Sequence, residues 1–153
     1  MGFALRATAA PAQQASDTAF AALQERGRTA MGVDQYASKH RFDDLPDGGR
    51  IELRQTTPDS AGTTAIRKHL AGITRAFAKG DFTIPGVVHA GPVPGTRVMA
   101  QKQELIDYRF RRLPGGGEVR LTTKDPEALG AIHQFLSFQR GEHRASGSEI
   151  HTH

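Results

Sequence analysis

The sequence predicts an α+β domain made of two copies of a strand–strand–helix unit. The four strands form one antiparallel sheet with both helices on one face, and an extra helix precedes them. An internal repeat at fixed spacing carries this prediction, together with apolar positions that change within each copy from every second residue to every third or fourth. Phe42-x-x-Leu45-Pro46-x-Gly48-Gly49-x-Ile51-x-Leu53 returns as Phe110-x-x-Leu113-Pro114-x-Gly116-Gly117-x-Val119-x-Leu121, at a constant offset of 68. Asp59, Ala65-Ile66 and Leu70 return as Asp125, Ala131-Ile132 and Leu136, at an offset of 66. Seven matches in a twelve-residue window with identical spacing set the repeat apart from chance.

Residues 1–15 read as a disordered leader or the remnant of a signal peptide. Ala7-Thr8-Ala9 fits the small-residue pattern ahead of a signal-peptidase cut, followed by an Ala/Pro/Gln stretch, although the preceding apolar segment is short. This predicts a periplasmic or secreted protein, and a cytoplasmic protein with a disordered leader is the other reading. A helix is expected over about residues 16–30, opening a single domain at 16–145.

The first half spans about 34–80. Tyr36, Ser38, His40 and Phe42 alternate with Ala37, Lys39, Arg41 and Asp43, the period of a half-buried strand. Pro46-Asp47-Gly48-Gly49 supplies the turn, because Pro presets its φ and Gly permits a positive one. Residues 50–54 return as the second strand with Ile51 and Leu53 inward. Asp59 starts a helix whose buried stripe is Ile66, Leu70, Ile73 and Phe77, and Gly80 stops it.

The second half spans about 102–145. Ile106, Tyr108 and Phe110 point inward, the turn is Leu113-Pro114-Gly115-Gly116-Gly117, and Val119 and Leu121 follow. Asp125 is the expected N-cap with Pro126 in the first turn, ahead of a stripe of Leu129, Ile132, Leu136 and Gln139. Between the halves, residues 81–95 hold three Pro and three Gly and read as a long structured loop rather than a helix. Residues 146–153 read as a mobile tail.

A length of 153 residues suits one domain, and 37% hydrophobic with 24% charged residues suits a modest soluble core. The absence of Cys excludes disulfides, thiolate metal sites, iron–sulfur clusters and cysteine nucleophiles. No apolar run approaches the ~20 residues of a membrane helix. Twenty Lys and Arg against sixteen Asp and Glu give a net charge of +4, but acids and bases alternate along the strands. Nucleic acid is therefore a poor fit as a partner. Arg109, Arg111 and Arg112 form the one local basic cluster, compatible with an anionic small ligand.

Histidine carries the chemical signal. Five of the seven lie in the domain: His40, His69, His89, His133 and His143. His40 faces the apolar side of its strand, where the repeat places Tyr108. His69 lies beside a helical stripe and aligns with Phe135, while His133 aligns with Arg67. His143 falls nearly on the last stripe, one turn past Gln139, and His89 sits in the Pro/Gly segment. Convergence of His40, His89 and a helical histidine, His133 or His143, with Met99 would suit copper, and imidazoles alone would suit zinc equally. Haem, with arginines near its propionates, is a narrower variant. Tyr108, His69, Arg109 and Arg111 complete the candidate ligand-binding set. The terminal His151-Thr152-His153 reads as adventitious. No paired carboxylates, Ser–His–Asp order or phosphate loop stands out.

Met31-Gly32-Val33-Asp34-Gln35, His40-Arg41-Phe42, Gly80-Asp81-Phe82, Pro94-Gly95, Val98-Met99 and Ala131-Ile132-His133-Gln134-Phe135-Leu136 give a resemblance over about residues 27–146. The chain is similar to a group of small exported bacterial proteins of unassigned activity, some labelled aspartate carbamoyltransferase. The Ser-Thr-Arg-Thr run of a carbamoyl-phosphate loop is absent here. The resemblance therefore implies a discrete exported domain and transfers no catalytic residue. The leading expectation is an exported small binding protein holding copper, zinc or haem through histidines. A metal-free protein-interaction or assembly module, in which a homodimer would fit, is the second expectation. A small hydrolase or lyase using His40 as base is the third.

Overall fold

The computed structural model describes residues 11–150. In chain order its elements are α1 (Pro11–Met31), β1 (Ser38–Leu45), β2 (Gly48–Gln55), α2 (Ser60–Ala78), α3 (Thr83–Val88), α4 (Thr96–Gln101), β3 (Ile106–Leu113), β4 (Gly116–Thr123) and α5 (Pro126–Glu142). The strands form one antiparallel sheet in the order β1-β2-β4-β3, with α2 and α5 against one face. The duplicated α+β architecture is thus as the sequence predicts. No helix among the described residues is long and apolar enough to cross a membrane.

The repeat is also a geometric symmetry. Residues of β2 and β4 pair so that Ile51 lies opposite its own repeat equivalent, Val119, which puts a pseudo-twofold axis through that pair. Gly48 and Gly116, equivalent positions at the two ends of this seam, recur because the strands pass too closely for a side chain. A Cβ on Gly48 would meet the Leu121 carbonyl oxygen at 1.9 Å, and one on Gly116 would meet that of Leu53 at 1.9 Å.

Each helix packs over the other half's hairpin: α5 lies mainly on β1 and β2, and α2 on β3 and β4. Polar ties fix the exchange. From α2, Arg67 donates through Nε to the Gly116 carbonyl and through Nη2 to that of Leu113, both at 2.9 Å. From α5, His133 Nε2 donates to the equivalent carbonyls of Leu45 and Gly48, at 2.9 and 3.0 Å. Both helices start as expected, with Asp59 accepting from the Ala61 and Gly62 N–H groups and Asp125 from that of Ala128.

The inward faces of strands and helices close over one core that includes Leu53, Ile66, Leu70, Phe77, Val119, Leu121, Ile132, Phe135 and Leu136. The outward face of the sheet is charged and internally paired. Arg41 and Arg50 both reach the buried Asp43, Arg109 reaches Asp107, and Arg111 reaches Glu118.

Four local expectations differ from what is observed. Helix α1 begins at Pro11, inside the stretch assigned to a leader, whereas Ala7-Thr8-Ala9 lies outside the described residues. Tyr36 belongs to a short 3₁₀ turn before β1 and is exposed, because the Asp34 carboxylate captures its N–H.

Residues 81–95 are not all loop, since α3 forms there. Pro85 falls in the first turn, where no backbone N–H is needed, and Asp81 accepts from both the N–H and the hydroxyl of Thr83.

Residues 146–150, expected as a mobile tail, run beside the open edge of β1. The Phe42 and Asp44 N–H groups donate to the Ser146 and Ser148 carbonyls, while the Ser148 and Ile150 N–H groups donate to the Asp43 and Asp44 carboxylates. Those two buried carboxylates give the strap its anchor, a link between residues about a hundred positions apart. His151-Thr152-His153 lies outside the described residues.

Candidate functional site

Under α3 and the end of α5, a cavity of about 60 Å³ opens among Phe42, Leu53, Ile73, Val88 and Phe135, and four histidines line it: His40, His69, His89 and His143. They come from four elements. His40 points inward from edge strand β1, and His69 is on α2. His89 ends α3, and His143 ends α5 as its C-cap. The cavity meets an outer recess of about 330 Å³ that shares His40 and His143 and is rimmed by Gln24, Ser38, Lys39 and Arg144. At this scale the inner cavity holds an ion or a few water molecules.

Three of the four rings are in contact, with His143 in the middle. His40 and His143 stack with centroids 4.8 Å apart, and His143 meets His89 edge to face at 5.1 Å. Phe42 extends the stack on one side, with its ring 5.7 Å from His40 and 5.8 Å from His143. Among the described residues, no group of three or more His, Asp or Glu side chains is gathered to hold an ion as the rings stand. The imidazoles face one another rather than a common point.

Burial keeps these rings neutral. It pushes His40 down to about 4, helped by repulsion from His69, and pushes His69 itself down to about 4. His143 falls to about 2 because burial is reinforced by repulsion from His40 and His89. His89 is also lowered by burial, against the opposing effect of its bond to Gln139.

That bond sets the tautomer. Gln139 accepts from the His89 Nε2–H at 2.9 Å, so the neutral ring carries its bare lone pair on Nδ1. The Nδ1 atoms of His89 and of His143 are both buried without a hydrogen-bond partner. An unpartnered buried polar nitrogen is destabilising by about 1–3 kcal/mol, and two of them lie at this one cavity.

The pseudo-symmetry gives three of the cavity histidines aromatic counterparts in the other half. The repeat offsets carry His40 onto Tyr108, His69 onto Phe135 and Phe77 onto His143. Phe77 lies 6.0 Å from Tyr108 and 5.9 Å from Phe135, so one half has a packed aromatic trio where the other has three histidines. Sequence alignment already pairs two of these three positions. The third equivalence, Phe77 with His143, falls at the helix ends and becomes evident only with the exchanged helix packing. Gln139 was visible on its stripe, but its partner, fifty residues away, was not.

The other candidates lie elsewhere. His133 serves the hairpin clamp described above and does not line the cavity. Met99 is wholly buried in α4 and is not among the lining residues. Tyr108 is buried in the aromatic trio with its hydroxyl unpartnered, which raises its pKa through burial. Arg109 and Arg111 occupy the opposite face of the sheet, each paired with an acid at 2.6 and 2.8 Å. No protein-family model, no curated protein and no solved structure matches the chain. The fold and the cavity therefore define the chain only as an internally duplicated α+β protein with a histidine-lined pocket.

Proposed function

We propose that this chain is a small binding protein that holds a transition-metal ion between the buried imidazoles of His40, His89 and His143. The observation that carries the reading is the replacement of an aromatic trio by histidines in one half of a duplicated core. Packing alone is already served by the apolar version in the other half. Histidines there bring neutral imidazole nitrogens to a cavity, where Nδ1 of His143 and Nδ1 of the neighbouring His89 are buried without partners. Small rotations of side chains at a strand edge and two helix ends would turn both nitrogens toward one ion. Haem would need far more room than a cavity of about 60 Å³ provides. The reading keeps the periplasmic or secreted location expected from Ala7-Thr8-Ala9 as part of the proposal.

The test is metal stoichiometry on the full chain without an affinity tag, in a His151→Ala, His153→Ala background that removes the terminal pair. After exposure to Zn(II) or copper and removal of excess, mass spectrometry should find about one equivalent bound. That equivalent should be lost in His89→Ala combined with His143→Ala and retained in His133→Ala. A sample that stays empty, or whose metal survives loss of both rings, overturns the reading.

A further inference from the structure

We infer that the ion this pocket selects is monovalent copper, held between two imidazoles through Nδ1 of His89 and Nδ1 of His143. The inference rests on the metal-binding reading above, adds the identity and charge of the ion, and narrows its donors to two of the three rings, with His40 beside the ion rather than bonded to it. Two independent features carry it.

The first is charge. All cavity-lining side chains are apolar or neutral, and no carboxylate lines the cavity. The one carboxylate whose charge bears on His89 belongs to Glu142, exposed at the end of α5. A complex with neutral ligands keeps the full charge of its ion. The cost of holding charge in an apolar site rises as its square, so a divalent ion is opposed about four times as strongly as a monovalent one. Zinc sites lined by histidine usually add a carboxylate, a thiolate or an open water position, and this cavity offers no carboxylate or thiolate.

The second is donor number. Of the nitrogens on the rings that line the cavity, two are fully buried without partners, His89 Nδ1 and His143 Nδ1, on rings 5.1 Å apart between centroids. Gln139 holds the His89 Nε2–H, so that ring can offer only Nδ1. Monovalent copper is satisfied by two nitrogen donors in line, whereas zinc requires four ligands. His40, stacked on His143, would cover the ion from one side, and Phe42 closes the stack.

The test titrates the full chain anaerobically with Cu(I), supplied as its acetonitrile complex against a chromophoric Cu(I) chelator. Zn(II) is titrated in parallel against a zinc indicator, using the same His151→Ala, His153→Ala background. The expected result is one equivalent of Cu(I), with Zn(II) bound at least 100-fold more weakly. X-ray absorption at the copper edge should give the two-coordinate signature. His89→Ala should abolish Cu(I) binding, and so should His143→Phe, which copies Phe77 of the other half and so preserves packing. Zn(II) bound as tightly as Cu(I) through the same two rings would overturn the inference and leave the metal reading standing. A three- or four-nitrogen copper signature would overturn the two-donor assignment alone. Failure of both ions to bind would sink the metal reading itself.

Discussion

Ile51 and Val119 hold the same position in the two repeats and face each other directly across the seam between β2 and β4. Everything asymmetric about this protein can be measured from that pair. The clamp of Arg67 on one hairpin is matched by the clamp of His133 on the other, and the close approach at Gly48 by that at Gly116. Against this regular frame, the histidine cavity is the departure. The trio His40, His69 and His143 stands where Tyr108, Phe135 and Phe77 stand in the other half.

Restoring the aromatic version should therefore stabilise the fold and remove the site. His40→Phe with His143→Phe replaces polar rings by apolar ones beside a cavity that can take the added volume, and it removes an unpartnered buried nitrogen. The expected gain is about 1–3 kcal/mol, read as a higher urea midpoint with unchanged slope. A lower midpoint would mean that the histidines are the better packing residues and that the cavity is incidental.

The sequence disclosed most of the frame. The repeat, both hairpins, both N-caps and the inward direction of His40 follow from spacing and turn chemistry alone. Long-range features were hidden. A segment with Pro85 and Gly86 looks helix-breaking unless the proline falls in the first turn, which depends on Asp81 anchoring the entry. The strap at 146–150 depends on two buried carboxylates in β1. The exchange of helices between hairpins is invisible to periodicity, because the apolar stripe is the same whichever hairpin it covers. Hence His143 was legible as a stripe residue, but its place against His40 was not.

Acid should unfold the metal-free protein in a defined window. His40 and His69 titrate at about 4 and His143 at about 2 in the folded chain, below the value of about 6.5 for an unfolded imidazole. The unfolded chain thus binds more protons as pH falls. Stability from these rings is fully present above pH ~6.5 and is lost toward the folded values, by about 1.4 kcal/mol per pH unit for each ring. The groups bearing on the cluster are the four imidazoles, with Glu142 favouring and Arg26 opposing protonation of His89. Circular dichroism should show unfolding between pH ~6.5 and ~4, moved to lower pH in the His40→Phe, His143→Phe variant. A transition that does not move would show that these rings are not its cause.

Asp43 belongs to a separate, more acidic step. Burial opposes its ionisation, but the bonds from Arg41, Arg50 and the Ser148 N–H outweigh burial and hold it at about 2. Its contribution is present above the unfolded value of about 3.9 and is lost only as pH falls through the folded one. Cutting the chain after Ala145 removes the strap and leaves Asp43 and Asp44 short of donors. The expected loss is about 1–3 kcal/mol, equivalent to a fall in Tm of about 2–4 °C per kcal/mol at this size. Gly147→Ala should reproduce much of it, because a Cβ there would meet the Phe42 carbonyl oxygen at 1.7 Å. If thermal unfolding of both variants matches the parent, the strap contributes nothing to stability.

Gln139 offers the cleanest separation of positioning from packing. Its repeat equivalent is Ile73, an apolar residue on the same stripe of α2, so Gln139→Leu fits the core. It removes the acceptor that holds the His89 Nε2–H and frees the ring to adopt the other tautomer or rotate. Stability should change little or rise slightly, while metal affinity falls about 10–100-fold, as when a ligating histidine loses its outer partner. His133→Ala makes the opposite pair of changes. It leaves the Leu45 and Gly48 carbonyls without their donor and should be destabilising by about 1–2 kcal/mol, with metal affinity unchanged. Competition titration and urea unfolding on the two variants give four numbers. If Gln139→Leu lowers stability and spares affinity, the glutamine is a core residue and the His89 lone pair is not held for a ligand.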